Sequence, residues 1–349
     1  MDTDGRPWPP RSGGRSGPRG RAPVFAALDL GTNNCRLLMA APDGAGGLKV
    51  VDGYSRIVRL GEGVSLNGRL SEAAMARAYQ ALQACAQRIE ARAPVAIGCV
   101  ATQACRAAAN GQVFLDRIRK DFGLDFRIID HEQEARLSVL GCASLLDSDA
   151  DVEMIVDIGG GSTEFAWVSP KAVRAGGVNP PILAWDTFKL GVVTLADEEA
   201  EPDNPAEKAG WYESVVQRLA DVLARSGPAD ALKPEFLAGR ANVIGTSGTV
   251  TSLAGVHLGL ARYQRARVDG MWFDVKDCRA AIRKLLHQTL EERAANPCIG
   301  KDRADLVVPG GMILDAVLRV WPAPRIRVAD RGLREGVLMQ LLAAYEQRR

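Results

Sequence analysis

Two stretches of the sequence decide the fold: ALDLG at 27–31 and IVDIG at 155–159. In each, an apolar run of strand length reaches an aspartate and a glycine, and a second apolar run follows the polar turn. Asp29 superposes on Asp157 and Gly31 on Gly159, so the pattern recurs about 128 residues further on. The recurrence predicts two related halves, each built around such a hairpin.

The rest of the chain alternates between strand and helix patterns. Residues 71–92 repeat apolar side chains on one helical face behind Ser71, a candidate N-cap, and residues 132–146 form a second predicted helix. PVAIGCV, FRIID and IRVAD are typical of buried strands. The alternation predicts the α/β class, with two sheet-centred domains facing each other across a cleft. The expected divisions are an arm at 1–22, domain I at 23–138, and domain II at 139–349 with the closing C-terminal helix.

Length and composition exclude several classes of protein. A chain of 349 residues favours two domains, and a net charge of +2 does not favour nucleic acid as a partner. The seven cysteines include no CxxC pair, and the three histidines lie far apart in sequence, which argues against a zinc or histidine metal centre. The arm at 1–22 is rich in Gly, Pro and Arg and is expected to be disordered. No apolar run approaches the ~20 residues of a membrane helix, so we expect a cytoplasmic protein with no membrane contact.

Three turns rich in Gly, Ser and Thr each follow an apolar strand. Glycines let the backbone approach a phosphate so that N–H groups donate to its oxygens, and the third turn also opens a helix, whose amino end favours an anion. One such turn alone is more often a plain hairpin, but three favour phosphate binding. The candidate phosphate contacts in them are Gly31, Thr32, Asn33, Gly159, Gly160, Gly161, Ser162, Thr163, Ser247 and Gly248.

Aspartates precede two of these turns. A carboxylate beside a bound phosphate repels it unless a cation intervenes, and Mg²⁺ held by carboxylates, waters and phosphate oxygens is the economical solution. Asp29, Asp157 and Glu164 are therefore the candidate metal ligands. None of the turns matches GxxxxGK[ST], and none is a GxGxxG with an acidic residue about 20 positions on, so neither a P-loop nor a dinucleotide fold is indicated.

The chain resembles the exopolyphosphatase / guanosine-pentaphosphate phosphohydrolase family, within the superfamily of actin, heat-shock chaperones and sugar kinases. The resemblance covers the sequence from residue 24 to the last helix, in family order. The stretches that carry it are DLGTNNCRLL (29–38), RIVRLGEG (56–63), VATQACRAAAN (100–110), EQEARL (132–137), VDIGGGSTE (156–164), FKLGVV (188–193), VIGTSGTVTSLA (243–254), RADLVVPGGMIL (303–314) and ADRGLREGVL (329–338).

The resemblance implies two ribonuclease-H-like (actin-like ATPase) domains in the short, two-domain form of the family. It also implies Mg²⁺ as cofactor and a homodimer. It places the catalytic base at Glu134, and without it Glu132 and Glu134 are equally good acids at a helix start. It implies phosphate contacts at Asn33 and Arg106, and phosphate and metal contacts at Asp157, Gly159, Ser162 and Glu164. The first turn reads Gly-Thr-Asn-Asn where Gly-Ser-Asn-Ser is usual.

The expected function is that of an exopolyphosphatase, which releases orthophosphate from the end of inorganic polyphosphate. Guanosine pentaphosphate is the alternative substrate, because the same terminal-phosphate chemistry serves both. A phosphotransferase of the same superfamily is a rival from another class, as is a nucleotide sensor without catalysis. An acid suited to activating water favours hydrolysis over sensing.

Overall fold

The computed structural model describes residues 22–44, 47–225 and 227–348, with the backbone alone at residues 227–229. The predicted arm therefore lies outside the described residues, except for Ala22. Eleven strands lie in the described part of the chain. They are β1 Phe25–Leu30, β2 Asn34–Pro42, β3 Leu48–Ile57, β4 Ala96–Ala101, β5 Phe126–Ile128, β6 Val152–Ile158, β7 Thr163–Val168, β8 Ala184–Phe188, β9 Ala241–Thr246, β10 Trp272–Asp274 and β11 Arg325–Ala329.

Helices fill most of the connections between the described strands, and Ala143–Leu145 and Gly227–Leu232 form short 3₁₀ turns. The α-helices are α1 Val64–Asn67, α2 Glu72–Arg92, α3 Gln103–Ala107, α4 Gly111–Phe122, α5 His131–Cys142, α6 Pro170–Ala175, α7 Val192–Glu198, α8 Pro205–Leu223, α9 Lys233–Leu237, α10 Ser247–His257, α11 Arg265–Val268, α12 Val275–Leu286, α13 Leu290–Ala295, α14 Val307–Val320 and α15 Leu333–Glu346. None of these helices is both long and apolar enough to cross a bilayer.

The first of two compact units comprises Met1–Gly141 and Leu333–Arg349. Its sheet has the order β3-β2-β1-β4-β5, in which β1, β2 and β3 pair antiparallel and β4 and β5 run parallel to β1. The predicted helix behind Ser71 is α2, and the Ser71 hydroxyl accepts a hydrogen bond from the Ala74 N–H at 3.2 Å. Ala78, Leu82 and Cys85 on its buried face pack in the core on one side of this sheet.

The second unit, Cys142–Gly332, repeats this plan. Its sheet has the order β10-β11-β9-β6-β7-β8, so that β6, β7, β8, β9 and β11 correspond to β1, β2, β3, β4 and β5. Pairing within the two hairpins is equivalent, because Asp29 lies opposite Arg36 and Asp157 lies opposite Glu164. The added edge strand β10 pairs antiparallel with β11. The strand order and register confirm the repeat and the ribonuclease-H-like α/β class.

The closing helix departs from the domain plan expected from sequence. The sequence pattern places it in domain II at 139–349, but α15 belongs to the first unit. Its apolar face, with Val337, Leu338 and Leu341, packs against Phe25 and Val100 on the side of the sheet that α2 does not cover. Gly336 brings α15 close to α5, since a Cβ there would lie 2.1 Å from the Leu137 carbonyl oxygen. An amphipathic pattern identifies the helix but not the sheet that buries it.

Candidate active site

The turn of the first hairpin is held through its carbonyl groups. The Gly31 N–H donates to the Asn34 carbonyl at 2.9 Å, and the Gly61 N–H donates to the Thr32 carbonyl at 2.9 Å. Since C=O and N–H point in opposite directions across a trans peptide, the Asn33 N–H faces away from the supporting Gly61 loop. The Asn33 side chain is buried, and its Oδ1 has no hydrogen-bond partner among the described residues. An unsatisfied buried amide is costly, so this turn is suited to a polar ligand.

The turn of the second hairpin repeats the arrangement. The Gly159 N–H donates to the Ser162 carbonyl at 2.9 Å, and the Val193 N–H donates to the Gly160 carbonyl at 2.8 Å. A Cβ on Gly191 would lie 2.3 Å from the Gly160 carbonyl carbon, so the supporting loop reaches the turn only because it carries glycine there. The RLG of 59–61 and the KLG of 189–191 are thus equivalent supports of two equivalent turns.

Thr163 is placed differently from its predicted role as a phosphate contact. Its side chain is fully buried, and its hydroxyl donates to the Leu190 carbonyl at 2.9 Å. The hydroxyl therefore fastens the 189–191 support to β7. Sequence alone groups Thr163 with Ser162 because both follow the glycines, but the first residue of a strand faces inward here.

The third turn opens α10 in the second unit. Ser247 has φ of +86°, a left-handed conformation that costs a residue with a Cβ about 1–2 kcal/mol. Its hydroxyl is buried and has no partner in the part of the chain that the structure describes. Thr246 stands at the N-cap position, yet its side chain makes no capping hydrogen bond. Strain together with an uncapped helix start is typical of a site shaped for an anion.

Tight packing from α14 supports this third turn. A Cβ on Gly310 would lie 2.4 Å from the Thr249 hydroxyl oxygen, so α14 fits against the first turn of α10 only with glycine at that position. This contact accounts for Gly310 in the PGG of the 303–314 stretch. The glycine supports the third turn through packing.

A row of side chains crosses the second sheet beside its turns. Thr246, Asp157, Glu164 and Thr187 lie side by side on β9, β6, β7 and β8, and directly opposed side chains share a face of the sheet. Glu164 is buried, and its Oε1 accepts from the Thr187 hydroxyl at 3.4 Å. Two carboxylates opposed on neighbouring strands repel each other unless a cation lies between them. Carboxylate and hydroxyl oxygens suit Mg²⁺, so the residues fit that ion.

The equivalent row of the first sheet is Val100, Asp29, Arg36 and Ser55. Burial raises the pKa of Asp29, and the charges of Arg36 and Arg334 oppose that rise. Arg334 stands at the start of α15, so the closing helix brings a cation to the first hairpin. The two arginines thus offset part of the cost of burying the Asp29 charge, and its role as a metal ligand stays a prediction.

Glu134 lies in the first turn of α5 in the first unit, where the helix dipole favours an acid. It is buried and forms an ion pair with Arg106 at 3.4 Å. Arg106 is fixed by Gln103, whose Oε1 accepts from its Nε at 3.1 Å and from its Nη2 at 2.9 Å, and by the Ile129 carbonyl. The structure therefore brings the predicted base and the predicted phosphate-binding arginine together.

Known proteins resemble this chain in both sequence and fold. The Ppx/GppA phosphatase family model matches residues 40–345. The chain belongs to the Ppx/GppA phosphatase family. Exopolyphosphatase 2 of Mycobacterium tuberculosis is 28% identical over 329 residues, 90% of this chain and 98% of that protein.

Two solved Ppx/GppA-like structures cover nearly the whole chain. The exopolyphosphatase from Cytophaga hutchinsonii matches with a TM-score of 0.78 at 25% identity, over 92% of this chain and 98% of that one. The Aquifex aeolicus Ppx/GppA family member matches with a TM-score of 0.73 at 25% identity, over 93% of this chain and 99% of that one. The likeness therefore extends over both units.

Sequence reasoning missed several neighbours of these Ppx/GppA site residues. His131 Nδ1 lies 3.0 Å from Arg106 Nη2, although the scattered histidines gave no reason to single it out. Its position three residues before Glu134 on α5 was the available signal, because such residues share a helical face. Gln103 was also missed, although it lies three residues before Arg106 on α3 and therefore shares its helical face. No local pattern pointed to Arg334 as a neighbour of Asp29, since long-range packing of α15 brings them together.

Proposed function

We propose that this protein is an exopolyphosphatase, a phosphoanhydride hydrolase that releases orthophosphate from the end of inorganic polyphosphate. The observation that carries the proposal is the Glu134–Arg106 pair, a buried acid beside a phosphate-binding cation in a Ppx/GppA family chain. The naming of the M. tuberculosis and C. hutchinsonii relatives as exopolyphosphatases supports the same activity.

In this proposal, the oxygen of a water molecule attacks the terminal phosphorus while Glu134 accepts the proton that the water loses. The bond between that phosphorus and the bridging oxygen breaks, and the chain leaves one phosphate shorter with the bridging oxygen on its new end. Arg106 donates to phosphate oxygens, where negative charge concentrates in phosphoryl transfer. Its contacts with Gln103 and the Ile129 carbonyl keep the guanidinium in place before substrate arrives.

The turns bind and orient the phosphate groups. The proposed contacts are the 31–33 turn of the first unit, and Gly159–Ser162 with the Ser247–Gly248 start of α10 in the second. Asp157 and Glu164 would hold a Mg²⁺ ion, which neutralises phosphate charge when bound.

Phosphate release from purified protein tests the proposal. Long polyphosphate, tripolyphosphate and guanosine pentaphosphate are compared at equal terminal-phosphate concentration with Mg²⁺, and Glu134→Gln protein purified in the same way controls for contaminating phosphatases. We expect the fastest release from long polyphosphate. Release from guanosine pentaphosphate alone would assign the nucleotide as substrate. Release that depends on an added sugar or carboxylate acceptor would assign a phosphotransferase.

The family resemblance also leads us to propose a homodimer in the cytoplasm. All seven cysteines are buried free thiols, typical of a protein that folds in a reducing compartment. Light scattering on the protein as it elutes from a size-exclusion column tests the stoichiometry. A monomer mass at all micromolar protein concentrations would contradict the dimer. Fractionation of the source cells tests the location.

A further inference from the structure

The start of α10 is uncapped for a reason that lies elsewhere in the second unit. Thr246 occupies the N-cap position with extended backbone dihedrals, and threonine there usually accepts a hydrogen bond from the second or third helical N–H. Its hydroxyl instead donates to the carbonyl oxygen of Arg331 at 2.6 Å. The side chain is therefore held in an orientation in which it leaves the first-turn N–H groups of α10 without their usual acceptor.

The Arg331 carbonyl is itself held by an ion pair. The Arg331 guanidinium donates to Asp269, with Nε 3.0 Å from Oδ2 and a further contact from Nη2. The Asp269 side chain is 9% exposed, and its Oδ1 also accepts from the Asp330 N–H at 3.0 Å. Asp269 thus binds both the Arg331 guanidinium and the N–H of Asp330, the residue before it.

Residues of the 263–265 segment also hold Asp330 in place. The Tyr263 hydroxyl donates to Asp330 Oδ2 at 2.7 Å, and Arg265 Nη2 donates to the Asp330 carbonyl at 2.6 Å. Arg331 Nη1 donates to the Ser144 hydroxyl at 2.8 Å. The Asp330–Arg331 segment is therefore fixed from several directions at the place where it meets Thr246.

We propose that Asp269 and Arg331 are positioning residues for the phosphate turn at the start of α10. Their ion pair fixes the Arg331 carbonyl, this carbonyl engages the Thr246 hydroxyl, and the first-turn N–H groups stay available to a phosphate of the substrate. Without the ion pair, Thr246 turns back to cap its own helix and competes with the substrate for the same donors. The inference rests on the proposed function, since it assigns these donors to a phosphate of polyphosphate.

A double-mutant cycle tests the competition. Asp269→Asn keeps the shape and the acceptor for the Asp330 N–H but loses the charge that holds Arg331. Thr246→Val keeps the shape but can neither reach Arg331 nor cap the helix. We expect Asp269→Asn to raise KM for polyphosphate about fivefold while kcat stays within about twofold. A change of about fivefold in binding corresponds to the free energy that one N-cap hydrogen bond contributes. In the Thr246→Val background the same substitution should leave KM unchanged, because no hydroxyl remains to compete.

The possible outcomes distinguish a failure of the positioning role from a failure of the proposed exopolyphosphatase activity. An equal rise of KM in both backgrounds would show a general structural role for Asp269, and a fall in kcat or no change at all would equally overturn the inference. If the wild-type protein hydrolyses no polyphosphate, the proposed function has failed. Calorimetric binding of tripolyphosphate across the same four proteins then decides the inference, with absence of binding by the wild type counting against it.

Discussion

The β1–β2 and β6–β7 hairpins have the same backbone but opposite charge arrangements. Both place an aspartate two residues before a glycine turn, and both turns are fastened by an Arg/Lys-Leu-Gly loop. The first hairpin sets Arg36 opposite Asp29, whereas the second sets Glu164 opposite Asp157. A positive charge therefore faces the aspartate of the first hairpin, and a second negative charge faces the aspartate of the other. The two glycine turns share a backbone plan, and one side chain on each return strand sets the charge opposite the aspartate.

The largest effect on activity is expected from substitution of Glu134 in the first unit. Glu134→Gln should lower kcat by about 10²–10⁴-fold, because the amide cannot accept the proton of the attacking water. The Mg²⁺ concentration for half-maximal activity should stay within about twofold of wild type, since Glu134 lies on α5 and is not among the proposed cation ligands. Glu132→Gln, two residues away on the same helix, is the matched control and should retain activity. Full activity of Glu134→Gln in a phosphate-release assay would remove the assigned base.

The second hairpin should respond through its cation instead. Glu164→Gln should raise the half-maximal Mg²⁺ concentration by about 10–100-fold, since one of two opposed carboxylates is lost, with activity partly recovered at high Mg²⁺. Asp29→Asn is the matched change on the first hairpin, where the charges of Arg36 and Arg334 oppose the rise in the pKa of Asp29, and should shift that concentration less. A Mg²⁺ titration of both variants checks the difference. If Asp29→Asn shifts the midpoint as far as Glu164→Gln, the contrast between the hairpins fails.

The two supporting glycines should differ in their tolerance of a methyl group. The new Cβ of Gly191→Ala would lie 2.3 Å from the backbone of Gly160, whereas that of Gly61→Ala would lie 2.2 Å from the Thr32 methyl carbon and meets side chains alone. A side chain can move aside more easily than backbone, so we expect Gly191→Ala to lower the free energy of unfolding by about 2–3 kcal/mol and Gly61→Ala by about 1 kcal/mol.

Urea unfolding measures both glycine variants. Gly210→Ala on α8 is the control, since its Cβ would meet nothing within 4 Å, and it should stabilise the helix by about 0.5–1 kcal/mol. Equal losses for Gly61→Ala and Gly191→Ala would show that the first turn is as rigid as the second.

The smallest effect concerns Glu153, a buried acid of the second sheet whose pKa is raised by burial, as that of Asp29 is in the first. Burial raises the pKa of Glu153 to about 7. An acid whose folded pKa exceeds its unfolded pKa binds more protons when folded, so stability falls as pH rises from about 4.5 to 7 and then levels off. Glu153→Gln should therefore raise the free energy of unfolding by about 1–3 kcal/mol at pH 8 and by little at pH 5. Exposed Glu90→Gln is the control, and a pH-independent gain for Glu153→Gln would contradict this account.

Much of the fold could be predicted because its signals are local. The hairpin repeat and the Ser71 cap each depend on residues within a few positions of one another. The sequence does not predict the edge strand β10, since three residues carry too little periodicity.

The candidate site divides in the same way. Gly159 and Ser247 could be found from turn chemistry, and Glu134 only from family resemblance, because an acid at a helix start has many ordinary explanations. The contacts of Arg106 with His131, of Asp29 with Arg334, and of Thr246 with Arg331 join distant positions. No local pattern announces such contacts.

The sequence by itself determined two α/β halves, three glycine-containing turns and the family, because turn chemistry and strand or helix periodicity are properties of neighbouring residues. Only the tertiary structure decided that α15 covers the first sheet, that Thr163 fastens a loop, and that a distant carbonyl keeps the α10 start uncapped. These outcomes depend on which apolar face finds which partner and which hydroxyl lies nearest which carbonyl. Such distances exist only after the chain has packed.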